Sequence, residues 1–99
     1  KWVMEQQGDS FANRFPEMTI SSLRFHALVD APPALQNTLE TAESGSARGI
    51  WGWTLIEEGA RAVGLALQAD YRGHEAFFIT ARRTSSSIPT VELAAHAFP

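Results

Sequence analysis

Cysteine is absent from the 99 residues, which excludes disulfides and thiolate metal sites. The three histidines, His26, His74 and His96, stand far apart with none of the spacings that metal ligation uses, so no metal site is expected. Basic residues are outnumbered, eight Lys and Arg against eleven Asp and Glu. The net charge of −3 offers no basic patch of the kind that nucleic acid demands. No apolar run approaches the ~20 residues needed to cross a bilayer, and the first residues carry no signal-peptide pattern. Neither nucleic acid nor membrane is therefore an expected partner, and a cytoplasmic location is the expectation. A GxxGxxG phosphate-binding turn is missing, and no internal repeat is visible. What remains is 44% hydrophobic and 19% charged, the composition of a folded globular chain of one domain at most.

The clearest stretch is Thr54 to Gly73, TLIEEGARAVGLALQADYRG. Ile56, Ala60, Val63 and Leu67 fall at i, i+4, i+7 and i+11, which lays one apolar stripe along a helix. Thr54 and Glu57 have the spacing of a capping box, Glu57 and Glu58 suit the helix dipole, and Gly73 is the expected stop. Glu75 to Ala81, EAFFITA, reads as a short strand buried on both faces. Helix, loop and covered strand make half of a βαβ unit.

Lys1 to Phe15 shows a second helical stripe through Met4, Gly8, Phe11 and Phe15, with Glu5, Gln6, Asp9 and Asn13 on its polar side. Gly8 marks a place for close approach of another backbone, and Pro16 breaks the helix. Thr19 to Val29 alternates Leu23, Phe25, Ala27 and Val29 with Arg24, His26 and Leu28. It reads as one strand with a side turned to a polar cleft or boundary. Asp30-Ala31-Pro32-Pro33 ends that strand. A short helix over 34–43 using Leu35 and Leu39, a flexible Ser44-Gly45-Ser46 linker and an extended Trp51-Gly52-Trp53 lead to the central helix. Arg82 to Ser87 is a polar loop, and Thr90 is the expected cap of a last helix buried through Val91, Ala94, Ala95 and Phe98. The succession predicts an α/β fold with parallel crossovers.

Four pieces, SLRFHALV, WGWTLIEEGARAVGLALQ, GHEAFFITA and PTVELAAHAFP, resemble in order and spacing the C-terminal portion of extended short-chain dehydrogenases/reductases, the NAD-dependent epimerase/dehydratase group. The resemblance covers essentially the whole chain. It implies the C-terminal part of a Rossmann-like parallel sheet with flanking helices, incomplete without its N-terminal half, so that residues 1–99 are a single-domain fragment. It also implies NAD or NADP in a longer parent, none bound by the isolated fragment, and a small substrate such as a sugar nucleotide or another hydroxy or keto compound.

The family's Tyr-x-x-x-Lys signature opens a long helix ahead of the strand that corresponds to Thr19–Val29, and Lys1 looks like its lysine. The tyrosine and the glycine-rich turn would lie upstream. A tyrosine phenol, with a reference pKa of about 10, is a poor base at neutral pH. A neighbouring ammonium favours the phenolate and also hydrogen-bonds the nicotinamide ribose. The resemblance thus implies a catalytic and cofactor-binding role for Lys1.

His26, at the C-terminal end of a parallel strand, and Pro32 are implied to lie near the nicotinamide. Ala27 holds the place of a substrate-touching Asn in the family's Arg-(Phe/Tyr)-x-Asn pattern, and Leu55 stands where many relatives have Asp. Trp51 and Trp53 are candidate walls of a substrate pocket, with packing under the central helix as the alternative, and Arg82 is a candidate phosphate holder. The stretch 30–50 is short for the family's substrate lobe, which points to a compact or divergent substrate. Lys1–Phe15 is the expected surface of a homo-oligomer. The competing expectation is a non-catalytic α/β binding or oligomerisation module.

Overall fold

The computed structural model describes residues 1–40 and 49–99. Three helices occur among them: α1 (Trp2–Arg14), α2 (Ile56–Gln68) and α3 (Thr90–Ala97). Four strands accompany them: β1 (Thr19–Phe25), β2 (Ala27–Val29), β3 (Trp53–Leu55) and β4 (Gly73–Ile79). Both sheets are small and parallel. β1 pairs with β4, from Thr19 opposite Gly73 to Phe25 opposite Ile79, and β2 pairs with β3, from Ala27 opposite Trp53 to Val29 opposite Leu55. Parallel neighbours need a crossover, and α2 lies on the path from β1 to its neighbour β4. The chain is mixed α/β, as its pattern predicts.

The expected strand Thr19–Val29 is two strands, broken at His26. The His26 N–H donates to the Ile79 carbonyl at 3.3 Å, where β4 ends, and the chain then exchanges β4 for β3 as its neighbour. The central helix differs at both ends. Thr54 is a buried strand residue whose hydroxyl donates to the Ile79 carbonyl at 2.7 Å, so no capping box forms and Leu55 occupies the N-cap. The helix stops at Gln68, and Gly73, with φ +96°, opens β4 instead of closing α2.

α1 presents its polar side to the sheet. Gly8 is buried and Glu5 half-buried, whereas Met4, Phe11 and Phe15 of the expected stripe are exposed. The close approach at Gly8 is real, but the partner is a side chain: a Cβ there would lie 3.0 Å from the His74 imidazole. α3 also turns a different face inward. Leu93 is buried, Val91 is exposed, and Pro89 is the N-cap ahead of Thr90. β4 is not covered on both faces, since Phe77 and Phe78 are exposed.

Residues 34–38 are not helical, and Gln36 instead forms a parallel bridge with Ser86. The rest of the helix expected over 34–43 lies largely outside the described residues, as does the Ser44-Gly45-Ser46 linker. Trp51-Gly52-Trp53 is extended only from Trp53. Ile50 and Trp51 take φ values of 50° and 55°, and Gly52 N–H closes the turn on the Gly49 carbonyl at 2.9 Å. Among the described residues, the buried apolar core is Trp51 and Leu93, flanked by Leu39, Ile88 and Ala97. The Cα radius of gyration is 16.7 Å, against about 13 Å for a compact domain of this length. No described helix is long and apolar enough to cross a membrane.

Candidate functional site

β1 and β4 run parallel and end together, Phe25 beside Ile79. Strand carboxyl ends are where open α/β sheets leave room for ligands. A cleft of about 350 Å³ lies there, lined by Lys1, Arg24, Phe25, His26, Ile50 and Phe78. Lys1 is the N-cap residue of α1, and its ammonium takes no hydrogen bond or ion pair among the described residues. His26 sits at the bend between β1 and β2 with its ring against Gly52, where a Cβ would fall 2.7 Å from Nδ1. Glycine at 52 is therefore a steric condition of the histidine's position.

Arg24 lines the same cleft, but its guanidinium is already engaged. Nε donates to Glu5 Oε1 at 2.7 Å and Nη2 to Glu5 Oε2 at 2.5 Å, a bidentate fork. The cation also lies 4.9 Å from the centroid of the Phe78 ring. The hydrogen bonds from Arg24 hold the Glu5 carboxyl below the ordinary glutamate value, and those to Glu5 raise the arginine. Lys1 is thus the uncommitted cation of the cleft.

A pH dependence follows from the Glu5 pair. The folded pKa is depressed, so the pair's contribution is full above the ordinary glutamate value of 4.5 and is lost as pH falls through the lower folded value. Amides of α1 should therefore exchange faster relative to those of α2 below that value than at neutral pH, with intrinsic exchange rates divided out. Glu5→Gln should remove the step. An α1-to-α2 ratio that is flat across this range would count against the pair as an anchor.

The other expected residues divide. Ala27 and Trp53 line a second cleft of about 310 Å³ with Pro33, and this cleft shares Gly49 with the first. Pro32, expected near the nicotinamide, is exposed and lines none of these clefts. Arg82 lines a third cleft of about 430 Å³ with Arg61 and Thr80, of which Trp53 is again a wall. The Trp53 Nε1–H is buried with no hydrogen-bond partner among the described residues. Trp51 belongs to none of the three. It is 1% exposed and packs on Leu93, with the Phe98 ring edge-on at 6.4 Å. Trp51 is therefore a core residue, as the packing alternative has it, but it packs against the last helix and not under the central one.

The chain's single tyrosine, Tyr71, is committed elsewhere. Its hydroxyl donates to the Ile20 carbonyl at 2.8 Å and lies 2.6 Å from Ser21 Oγ. Among the described residues no group of three His, Asp or Glu could hold a metal ion.

One constellation has no counterpart in the expectations. His74 Nε2 lies 2.7 Å from Ser22 Oγ and Nδ1 lies 2.8 Å from Asp9 Oδ1, with the imidazole only 5% exposed. The three residues come from β1, β4 and α1. Only the register that sets His74 opposite Ile20, one diagonal from Ser22, reveals the set. Compared with family models, curated proteins and solved structures, the chain matches none.

Proposed function

We propose that residues 1–99 form the C-terminal, substrate-side part of a Rossmann-like, NAD(P)-dependent epimerase/dehydratase-type oxidoreductase. The substrate class is a sugar nucleotide or another small hydroxy or keto compound. The observation that carries this reading is the meeting of Lys1 and His26 in one cleft at the carboxyl ends of two parallel strands. The residues present fit the nicotinamide-ribose end of such a cofactor. Lys1 offers ammonium donors for ribose hydroxyls, and Phe25, Ile50 and Phe78 offer apolar walls for a flat ring.

The nicotinamide, when bound, supplies hydride transfer. Lys1 orients the ribose and favours the phenolate form of a tyrosine placed four residues ahead of it. His26 borders the same space, and the clefts at Ala27, Trp53 and Arg82 receive the substrate. Neighbouring clefts share a wall residue, Gly49 between the first and second and Trp53 between the second and third.

The test uses the full gene product. The coding sequence should place tyrosine four residues before Lys1 and a glycine-rich turn further upstream, and NADH or NADPH should quench protein fluorescence saturably. Residues 1–99 alone should bind neither. A full gene product without that tyrosine, or one that binds neither dinucleotide, would leave a non-catalytic α/β binding or oligomerisation module.

Association through α1 belongs to the same proposal. With Glu5, Gly8 and Asp9 turned to the sheet, Trp2, Met4, Phe11 and Phe15 are left outward and exposed. Each large side chain covered by a second copy would gain about 1.5–3 kcal/mol. Sedimentation should show a dimer of the full gene product that Phe11→Glu converts to monomer. A dimer indifferent to that charge would remove α1 as the contact.

A further inference from the structure

The structure assigns His74 as the positioning residue that seats α1 on the sheet and so determines where Lys1 stands. Its functional consequence rests on the oxidoreductase reading of Lys1, whereas the seating itself does not. The large apolar side chains of α1 are exposed, so burial of a hydrophobic stripe is not what holds this helix. Two polar anchors do so instead: Glu5 on Arg24, and Asp9 on His74, four residues apart along one face. Lys1 lies on that face a further turn toward the N-terminus.

The imidazole is wedged between the two layers. A carboxylate only accepts, so Nδ1 carries a proton toward Asp9, and in the neutral imidazole Nε2 then accepts from the Ser22 hydroxyl. Gly8 brings the helix backbone so close that a Cβ would lie 3.0 Å from Cδ2 and Nε2 of the ring. None of the three clefts described above includes Ser22 or His74, and the ring is covered. The Ser–His–Asp spacing therefore serves as a strut between layers and not as a nucleophile's relay.

The lever explains why this matters. With Asp9 released the helix pivots on Glu5, four residues or about 6 Å of helix from Lys1, so a tilt of roughly 10° displaces the lysine by about 1 Å. Misplacement of about 1 Å can cost on the order of a hundredfold in rate.

The test compares His74→Leu, which deletes both bonds, with His74→Asn, whose amide can donate to Asp9 from nearly the Nδ1 position, in the full gene product. Hydrogen exchange should accelerate across residues 2–14 by about tenfold in His74→Leu while residues 56–68 are unchanged, and His74→Asn should restore most of the protection. In the oxidoreductase assay kcat should fall by about ten- to a hundredfold with the substrate KM within about threefold, again rescued by asparagine. Ser22→Ala, which removes one bond and little volume, gives a smaller acceleration of the same segment and serves if the leucine variant does not fold. Unchanged α1 exchange in His74→Leu, or in Ser22→Ala where that variant stands in, would overturn the assignment. Faster α1 exchange in a protein whose wild type turns over no dinucleotide would uphold the seating and overturn the oxidoreductase reading alone.

Discussion

Replacement of Trp51 by alanine is expected to destabilise the protein by about 3–5 kcal/mol, the cost of truncating a buried aromatic side chain. Natural domains have about 5–15 kcal/mol in total, so most of the cooperative transition should be lost. The indole is 1% exposed and meets Leu93, the only other fully buried large hydrophobic among the described residues, with Leu39, Ile88 and Ala97 around the pair. Its carbonyl accepts the Ser85 N–H at 2.9 Å, which ties the 84–88 segment and, through it, α3 to the turn at Gly49–Gly52. Removing the ring leaves these connections with little between them.

The backbone at this point sharpens the test. Ile50 and Trp51 both hold φ near +50°, a conformation that costs an L-residue about 1–2 kcal/mol. Burying a tryptophan returns more than that, about 5 kcal/mol for some 200 Å² of surface. Alanine retains the backbone strain and forfeits the burial. Glycine forfeits the burial but relieves the strain, so Trp51→Gly should be no less stable than Trp51→Ala, and up to about 1 kcal/mol more stable. Urea denaturation of the three proteins checks the order. An alanine variant within about 1 kcal/mol of wild type would mean that Trp51 does not hold the core.

The elements that were legible in the sequence are those specified by uninterrupted periodicity. Ile56, Ala60, Val63 and Leu67 announce α2, and the alternation through Leu23 and Phe25 announces β1. The boundaries were illegible because contacts distant in sequence decide them. Thr54 abandons the capping spacing because the Ile79 carbonyl, 25 residues on, takes its hydroxyl. Periodicity also groups residues by face without saying which face meets the sheet. α1 turns inward the side that looked solvated because Arg24 and His74 supply partners for Glu5 and Asp9 from 19 and 65 residues away. Of the candidate site, Lys1 and His26 converge on one cleft and Ala27, Trp53 and Arg82 border its neighbours. Pro32 lines none of these clefts, and Trp51 is claimed by the core. Tryptophan spacing alone could not divide Trp51 from Trp53, since the left-handed turn that separates their environments leaves no signature in an Ile-Trp pair.

Replacement of Lys1 by methionine should separate the two tasks assigned to the ammonium. The stem keeps its volume and only the charge disappears. Loss of a charge-assisted hydrogen bond to the ribose weakens binding by about 1.5–3 kcal/mol, or roughly ten- to a hundredfold in dinucleotide affinity. Loss of the electrostatic support for phenolate is a separate effect. A neighbouring cation depresses an acid's pKa by about 1–3 units, so without Lys1 the tyrosine proposed four residues ahead of it would return toward about 10. In the direction that requires phenolate, the limb of the kcat profile that rises with pH should move upward by the same 1–3 units. Turnover at neutral pH then drops by about ten- to a thousandfold, while wild type and variant converge in alkali. Lys1→Arg keeps the charge and should recover part of the profile, though its planar fork matches the ribose less well. The uncommitted ammonium and the apolar walls of Phe25 and Phe78 favour these shifts. A methionine variant of the full gene product with unaltered dinucleotide affinity and an unmoved pH profile would return Lys1 to an ordinary surface lysine, and the oxidoreductase reading would lose its catalytic residue.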